Sequence, residues 1–233
     1  NLILRLAVDD SHSVCKFNKK FGCFLSEVKE LLVIAKRLRL NVIGFSFHVG
    51  SNCSCSDSFY TAIEDCRKAT DIANKLGINI HLIDIGGGFP GIDEKVRFED
   101  IAKRVNEGIA HFFGKELSTK TIRFIAEPGR YFAQKSHTLV LNIIGKKRRK
   151  NEDGEPLNIY YLNDGIYHSF NCIVFDNYQP VIVPFNKGNG KMVSSCLFGP
   201  TCDSLDLIQE KIMLPELSIG EWVYVENFGA YTL

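Results

Sequence analysis

The sequence predicts an α/β region followed by a mainly β region, and three observations carry that prediction. Short β-branched apolar runs alternate with helical apolar stripes through about the first 135 residues. From His137 onward, strand-like runs follow one another between Gly, Pro and Asn, with little that repeats at helical spacing. The chain has 233 residues, 45% hydrophobic and 24% charged, enough for one large domain or two modest ones with real cores.

In chain order, the first region holds strand-like runs at 2–8, 42–49, 78–85 and 121–126. Each is short, mostly apolar and β-branched, the pattern of a parallel strand buried on both faces. Between the first two, Ser26 is placed to cap a helix whose Val28, Leu31, Leu32, Ala35 and Leu38 share one stripe. A second helix is predicted from about Asp57, with Phe59, Ile63, Cys66, Thr70 and Ala73 inward and Gly77 as its stop. A third, opening near Phe98, carries Ile101, Val105, Ile109 and Phe112 and is expected to end at Gly114. Three strand–helix units in succession suit either a doubly wound sheet or part of a (β/α)8 barrel. In the second region strands are expected at 138–144, 157–162, 173–175, 193–198 and 222–226, mainly antiparallel, with one short helix at 204–211.

Composition excludes several functional classes. Lys and Arg total 28 against 27 Asp and Glu, so a net charge of +1 gives no support to a nucleic-acid footprint. The run Lys146–Lys150, followed by Asn-Glu-Asp-Gly-Glu-Pro, is read as a solvated hairpin loop. No apolar run approaches the roughly 18 residues of a membrane span. The start, Asn1-Leu2-Ile3-Leu4-Arg5, lacks the order of a signal peptide and reads as the middle of a strand, so an internal piece of a longer protein is expected. The eight cysteines form no CxxC pair and no metal set with the histidines, which favours free thiols in a reducing, cytoplasmic setting.

The residues suited to chemistry stand where predicted parallel strands end, the rim where ligands bind in such folds. They are His48-Val49-Gly50-Ser51, Asp84-Ile85-Gly86-Gly87-Gly88-Phe89-Pro90-Gly91 and Glu127-Pro128-Gly129-Arg130. Residues 86–91 fit G-x-G-x-x-G, but Pro90 biases Phe89 toward an extended conformation and the next helix opens only near Phe98. That favours a loop binding one phosphate through backbone N–H groups over a dinucleotide site. Arg130 would supply positive charge. Glu127, ending an apolar strand, is expected to be a buried carboxylate that needs a cationic partner. His48 by itself would more often be a core histidine, and its place on the same rim favours a functional reading.

These motifs, with Ala126 before Glu127, resemble the pyridoxal-phosphate sites of the alanine-racemase-like, group IV decarboxylases. Tyr161-Leu-Asn-Asp-Gly-Ile-Tyr167, Ser169-Phe-Asn-Cys-Ile173, Gly199-Pro-Thr-Cys-Asp203 and Glu226-Asn-Phe-Gly-Ala-Tyr231 extend the resemblance over essentially the whole chain, toward the eukaryotic ornithine decarboxylase branch. It implies the C-terminal half of a (β/α)8 TIM-type barrel at 1–136, binding pyridoxal 5'-phosphate. A β-barrel-like domain at 137–233, incomplete at its C-terminal end, would carry substrate and dimer contacts. His48 would stack on the cofactor ring and Glu127 would pair with the ring nitrogen. Ser51, Gly88, Gly129, Arg130 and Tyr231 would hold the phosphate. Asp176 and Asp203 would meet the distal amine of ornithine, and Cys202 would help to return a proton after CO2 leaves. Lys20 and Asp206 would form a cross-subunit ion pair, and Tyr167 an interface aromatic, in a homodimer with shared sites. The family's antizyme contact lies in a region outside this sequence.

One departure matters. The Schiff-base lysine of that family sits in an Ala-Val-Lys-Cys-like motif, and nothing here matches it, so the 233 residues alone are expected to be inactive. Three rivals differ in class: a non-catalytic antizyme inhibitor, a lysine, arginine or diaminopimelate decarboxylase, and a cofactor-sensing barrel protein. Retention of Arg130, Asp176, Cys202, Asp203 and Tyr231 favours the enzyme. Asp176 favours a terminal amine over a carboxylate but separates ornithine from lysine poorly. The β-rich second region counts against the sensing module.

Overall fold

The computed structural model describes residues 1–93, 95–186 and 191–232. The chain divides into two compact units, Asn1–Phe132 and Ala133–Leu233. The division falls four residues before the one expected, because the turn Gln134–Ser136 belongs to the second unit. There the Gln134 carbonyl accepts the Gly229 amide at 3.0 Å, and the His137 carbonyl accepts the Phe228 amide at 2.8 Å.

The first unit runs β1 (Leu2–Arg5), β2 (Ser13–Cys15), α1 (Val28–Arg37), β3 (Val42–Ser46), β4 (Ser51–Cys53), α2 (Asp57–Lys75), β5 (Leu82–Asp84), α3 (Phe98–Thr119), β6 (Arg123–Ile125) and α4 (Gly129–Ala133). Four of these strands form a parallel sheet in the order β1-β3-β5-β6, while β2 and β4 make a small antiparallel ribbon. Val28, Leu32 and Ala35 of α1 and Phe59, Ile63 and Cys66 of α2 bury with Phe45, Ile83 and Ile101 in one core, as their 3.6-residue spacing requires. Two details differ from expectation. Ser26 makes no cap; α1 follows Glu27, whose carboxylate accepts the Phe24 amide at 2.7 Å. Gly114 does not stop α3, which bends at Phe113 (φ −127°) and closes at Lys120 in the left-handed region (φ 54°). The buried Phe113 ring packs edge-on to Phe124, and that contact carries the helix past its bend.

The second unit runs β7 (Leu139–Lys150), β8 (Pro156–Leu162), α5 (Cys172–Phe175), β9 (Val183–Pro184), β10 (Met192–Phe198), β11 (Leu207–Pro215) and β12 (Trp222–Val225). They form one sheet in the order β11-β10-β8-β7-β12-β9, antiparallel except between β8 and β10. Leu141, Ile143, Tyr160, Leu162, Leu197, Ile208 and Val223 fill its core.

Three expectations are overturned here. Residues 204–211 enter a strand, since β11 pairs with β10 from Met192↔Pro215 to Phe198↔Leu207. Residues 173–175 lie in a single helical turn that continues a 3-10 turn at Ser169–Asn171. Short apolar runs fit either period: pairing with β10 decided the first case, while the second run closes locally, the Asp176 amide donating to the Cys172 carbonyl. The basic run 146–150 is not a loop but the end of β7, paired from Lys146↔Tyr160 to Lys150↔Pro156. The turn lies beyond it, where the Asn151 amide donates to the Glu155 carbonyl.

Candidate active site

Parallel order places the loops that follow β3, β5 and β6 side by side. Backbone bonds lace those loops beyond the strands. Phe47 N–H donates to the Asp84 carbonyl at 3.0 Å, Ile85 N–H to Ile125 at 2.9 Å, and Glu127 N–H to Gly86 at 2.8 Å. The Asp84 carboxylate then accepts the Gly86 amide at 2.9 Å. Between the flanking loops the three glycines leave bare backbone with little room for a side chain. A Cβ on Gly87 would lie 2.8 Å from His48 Nε2 and 2.9 Å from the Glu127 carbonyl oxygen. Gly88, at φ +100°, would place one 2.6 Å from the Gly50 carbonyl oxygen. Phe89 anchors the end of the loop, packing its ring 5.0 Å from that of Phe59.

The imidazole of His48 therefore stands beside the glycine backbone. Its Nδ1 accepts the Gly50 amide at 3.0 Å, which leaves the ring proton on Nε2. Burial, aided by the nearby Arg5 cation, pushes its pKa down to about 4, so the ring is neutral at pH 7. Phe17 meets the ring edge-on at 4.9 Å. Sequence reasoning missed Phe17, because its loop has no periodic pattern.

The other rim residues divide. Ser51 opens β4, half-buried and paired with Cys15 of β2. Arg130 is buried in α4, and Gly129 before it is exposed. Glu127 is exposed, which corrects the expected buried carboxylate. It lies two residues past β6, an edge strand of the sheet, and no further strand among the described residues pairs beyond that edge. The helix after the glycine loop begins at Phe98, beyond reach of the arrangement a dinucleotide loop needs.

In the second unit, Asp176 is buried at the end of α5, its amide bonded to the Cys172 carbonyl at 3.0 Å. Cys202 and Asp203 are exposed on the turn before β11. The Tyr167 hydroxyl donates to the Asp203 carboxylate, which also accepts the Leu205 amide at 2.9 Å. Those two bonds hold the Asp203 carboxyl below its ordinary value, and the carboxylate raises the Tyr167 phenol. Tyr231 is exposed with φ +60°. Lys20, in the first unit, is exposed with its ammonium 5.1 Å from the Phe21 ring. Asp206 is buried, and within the chain its carboxylate accepts the amides of Ile166 and Thr201 and the Thr201 hydroxyl. All eight cysteines are free. Among the described residues no group of His, Cys, Asp and Glu is arranged to hold a metal, and no helix is long and apolar enough to cross a membrane.

Residues 1–134 match the family described as "Pyridoxal-dependent decarboxylase, pyridoxal binding domain". This chain belongs to that family. The ornithine decarboxylase of Mus musculus is 43% identical over 244 residues, covering 100% of this chain and 52% of that protein. Antizyme inhibitor 2 of Xenopus laevis is 42% identical over 243 residues, with the same coverage. The arginine decarboxylase of Paramecium bursaria Chlorella virus, solved bound to agmatine, superposes with a TM-score of 0.89 at 34% identity, over 99% of this chain and 60% of that one. This member of the pyridoxal-dependent decarboxylases thus spans about half the length of the curated relatives it matches.

The first unit fits a pyridoxal group on its own chemistry. Bare backbone at Gly86–Gly88 admits close approach, a neutral imidazole stands beside it, a guanidinium is buried after β6, and a carboxylate is presented at Glu127.

Proposed function

We propose that the protein carrying this chain decarboxylates L-ornithine to putrescine and CO2 as a homodimer that uses pyridoxal 5'-phosphate. In this reading the four-stranded parallel sheet is half of a (β/α)8 barrel, and the second unit supplies substrate and dimer contacts. The observation that carries the proposal is the bare glycine backbone held between the neutral His48 ring and Glu127.

When bound, the cofactor supplies an electron sink for the pair left on the α-carbon as CO2 departs. The chain's residues then have distinct tasks. His48, uncharged, offers a flat face to the ring without competing for its positive charge. The Glu127 carboxylate holds a proton on the ring nitrogen. Ser51, Gly88, Gly129 and Tyr231 donate hydrogen bonds to the phosphate, and Arg130 neutralises it. Asp176 and Asp203, acceptor-only when ionised, receive the distal ammonium and orient the substrate. The Cys202 thiol returns a proton to the α-carbon.

The identity to an antizyme inhibitor supports a second reading, in which the protein binds antizyme and does no chemistry. Arg130, Asp176, Cys202, Asp203 and Tyr231 are all present, which favours the enzyme. Release of labelled CO2 from carboxyl-labelled L-ornithine by the full-length protein, dependent on added pyridoxal phosphate, is the deciding measurement. Turnover of lysine or arginine in preference to ornithine would change the substrate. A protein that stays colourless with the cofactor and releases no CO2 would support the inhibitor reading. The 233 residues alone contain no match to the family's lysine motif and are expected to release none.

A further inference from the structure

Asp206 lies where two loops of the second unit meet. Its Oδ1 accepts the Ile166 amide at 2.9 Å, and its Oδ2 accepts both the amide and the hydroxyl of Thr201 at 3.0 and 2.8 Å. Its own carbonyl accepts the Gly199 amide at 2.8 Å, and its amide donates to the Asp203 carbonyl at 3.1 Å. A Cβ at Gly165 or Gly199 would stand 2.1 or 2.2 Å from Oδ1, so both loops close on the carboxylate with no space for a side chain. Three donors of its own chain thus meet the buried carboxylate.

The two loops joined in this way carry Tyr167 and Asp203. The Tyr167 hydroxyl donates to one Asp203 oxygen, and the Leu205 amide donates to the other at 2.9 Å. Beside them opens a cavity of about 410 Å³ lined by Tyr167, His168, Pro200, Thr201 and Asp206.

We propose that Asp206 is a positioning residue for substrate specificity. Through Ile166 and Thr201 it sets the turn that carries Cys202 and Asp203, and the Tyr167 hydroxyl holds the Asp203 carboxylate in one direction. The inference rests on the reading that Asp203 meets the distal amine. A carboxylate restrained at both oxygens has a defined reach, so it can measure the distance from a terminal ammonium to the reacting carbon. A freely rotating one would accept amines of several lengths.

The test uses the full-length protein with Tyr167→Phe, Thr201→Val and Asp206→Asn. Steady-state constants are measured for L-ornithine and for L-norvaline, the same carbon chain without the distal amine. Amide hydrogen exchange is followed over residues 199–206. Tyr167→Phe is expected to raise the ornithine KM by about ten-fold, more than it lowers kcat, while norvaline changes less. Exchange in the turn should accelerate in Tyr167→Phe and Thr201→Val, and more so in Asp206→Asn. If Asp206→Asn does not fold, the first two variants carry the test, since Tyr167 and Thr201 are exposed. Unchanged exchange in both, or equal losses on the two substrates, would overturn the positioning role. A wild-type protein that fails to prefer ornithine over norvaline would overturn the reading of Asp203 instead, whatever the exchange rates.

Discussion

At the scale of single residues, His48 shows how environment turns an ordinary side chain into a defined chemical group. Its folded pKa is about 4 against an ordinary 6.5, chiefly through burial. Between those values the unfolded chain binds a proton that the folded chain does not, so stability rises with pH across that window and levels off above it. Urea midpoints at intervals over the window should show the slope, and His48→Gln should flatten it. An identical slope in the variant would remove His48 as its cause. Gly87 makes a steric counterpart. Alanine there would press on His48 Nε2 and on the Glu127 carbonyl, costing about 1–3 kcal/mol and weakening pyridoxal phosphate binding by about ten-fold or more. Spectral titration of the full-length protein with the cofactor measures it. The sequence located both loops, since glycine runs and charged residues at strand ends are local signals. It could not show that Glu127 is exposed or that Asp206 is buried, because burial is set by distant segments.

At the scale of elements, local pattern and cross-chain pairing compete. Predicted strands in the first unit fell on observed ones, though every one was drawn too long, because apolar residues continue past the last ladder bond into the loops. In the second unit the run 204–211 has apolar residues at 205, 207 and 208, with 205 and 208 at a helical spacing, yet from Leu207 onward it belongs to β11. Burial of Ile208 and Leu214 against the core of the sheet outweighs a preference worth a few tenths of a kcal/mol per residue. Leu214→Ala should therefore cost about 2–5 kcal/mol, while Lys150→Ala, exposed near the end of the same sheet, should stay within about 0.5 kcal/mol. Equilibrium denaturation compares the two. Similar small losses would mean that β11 contributes little to the unit. The basic end of β7 follows the same rule: its strand pairing is kept while its charges are met, Lys146 and Arg148 both reaching Glu216 and Lys146 also the Leu217 carbonyl.

At the scale of the whole molecule, the parallel sheet of the first unit has β1 and β6 as its edges, and Leu2 and Ile3 on β1 are exposed. Unpaired parallel edges with apolar side chains favour association. The purified 233-residue chain is expected to self-associate as its concentration rises, and sedimentation velocity would detect it. A monomer throughout the micromolar range would show that the edges are protected.

By itself the sequence determined that three strand–helix units precede a β-rich region, which motifs stand at strand ends, and that those motifs resemble the decarboxylases. All of these are written in local spacing and residue type, which survive without knowledge of contacts. Only the tertiary structure decided that residues 207–211 pair with β10, that the His48 ring is neutral beside Gly87, and that Asp206 ties the Tyr167 loop to the Asp203 turn. Each depends on groups separated by tens of residues meeting out of water, and hydrogen bonding and pKa respond to that meeting rather than to sequence neighbours.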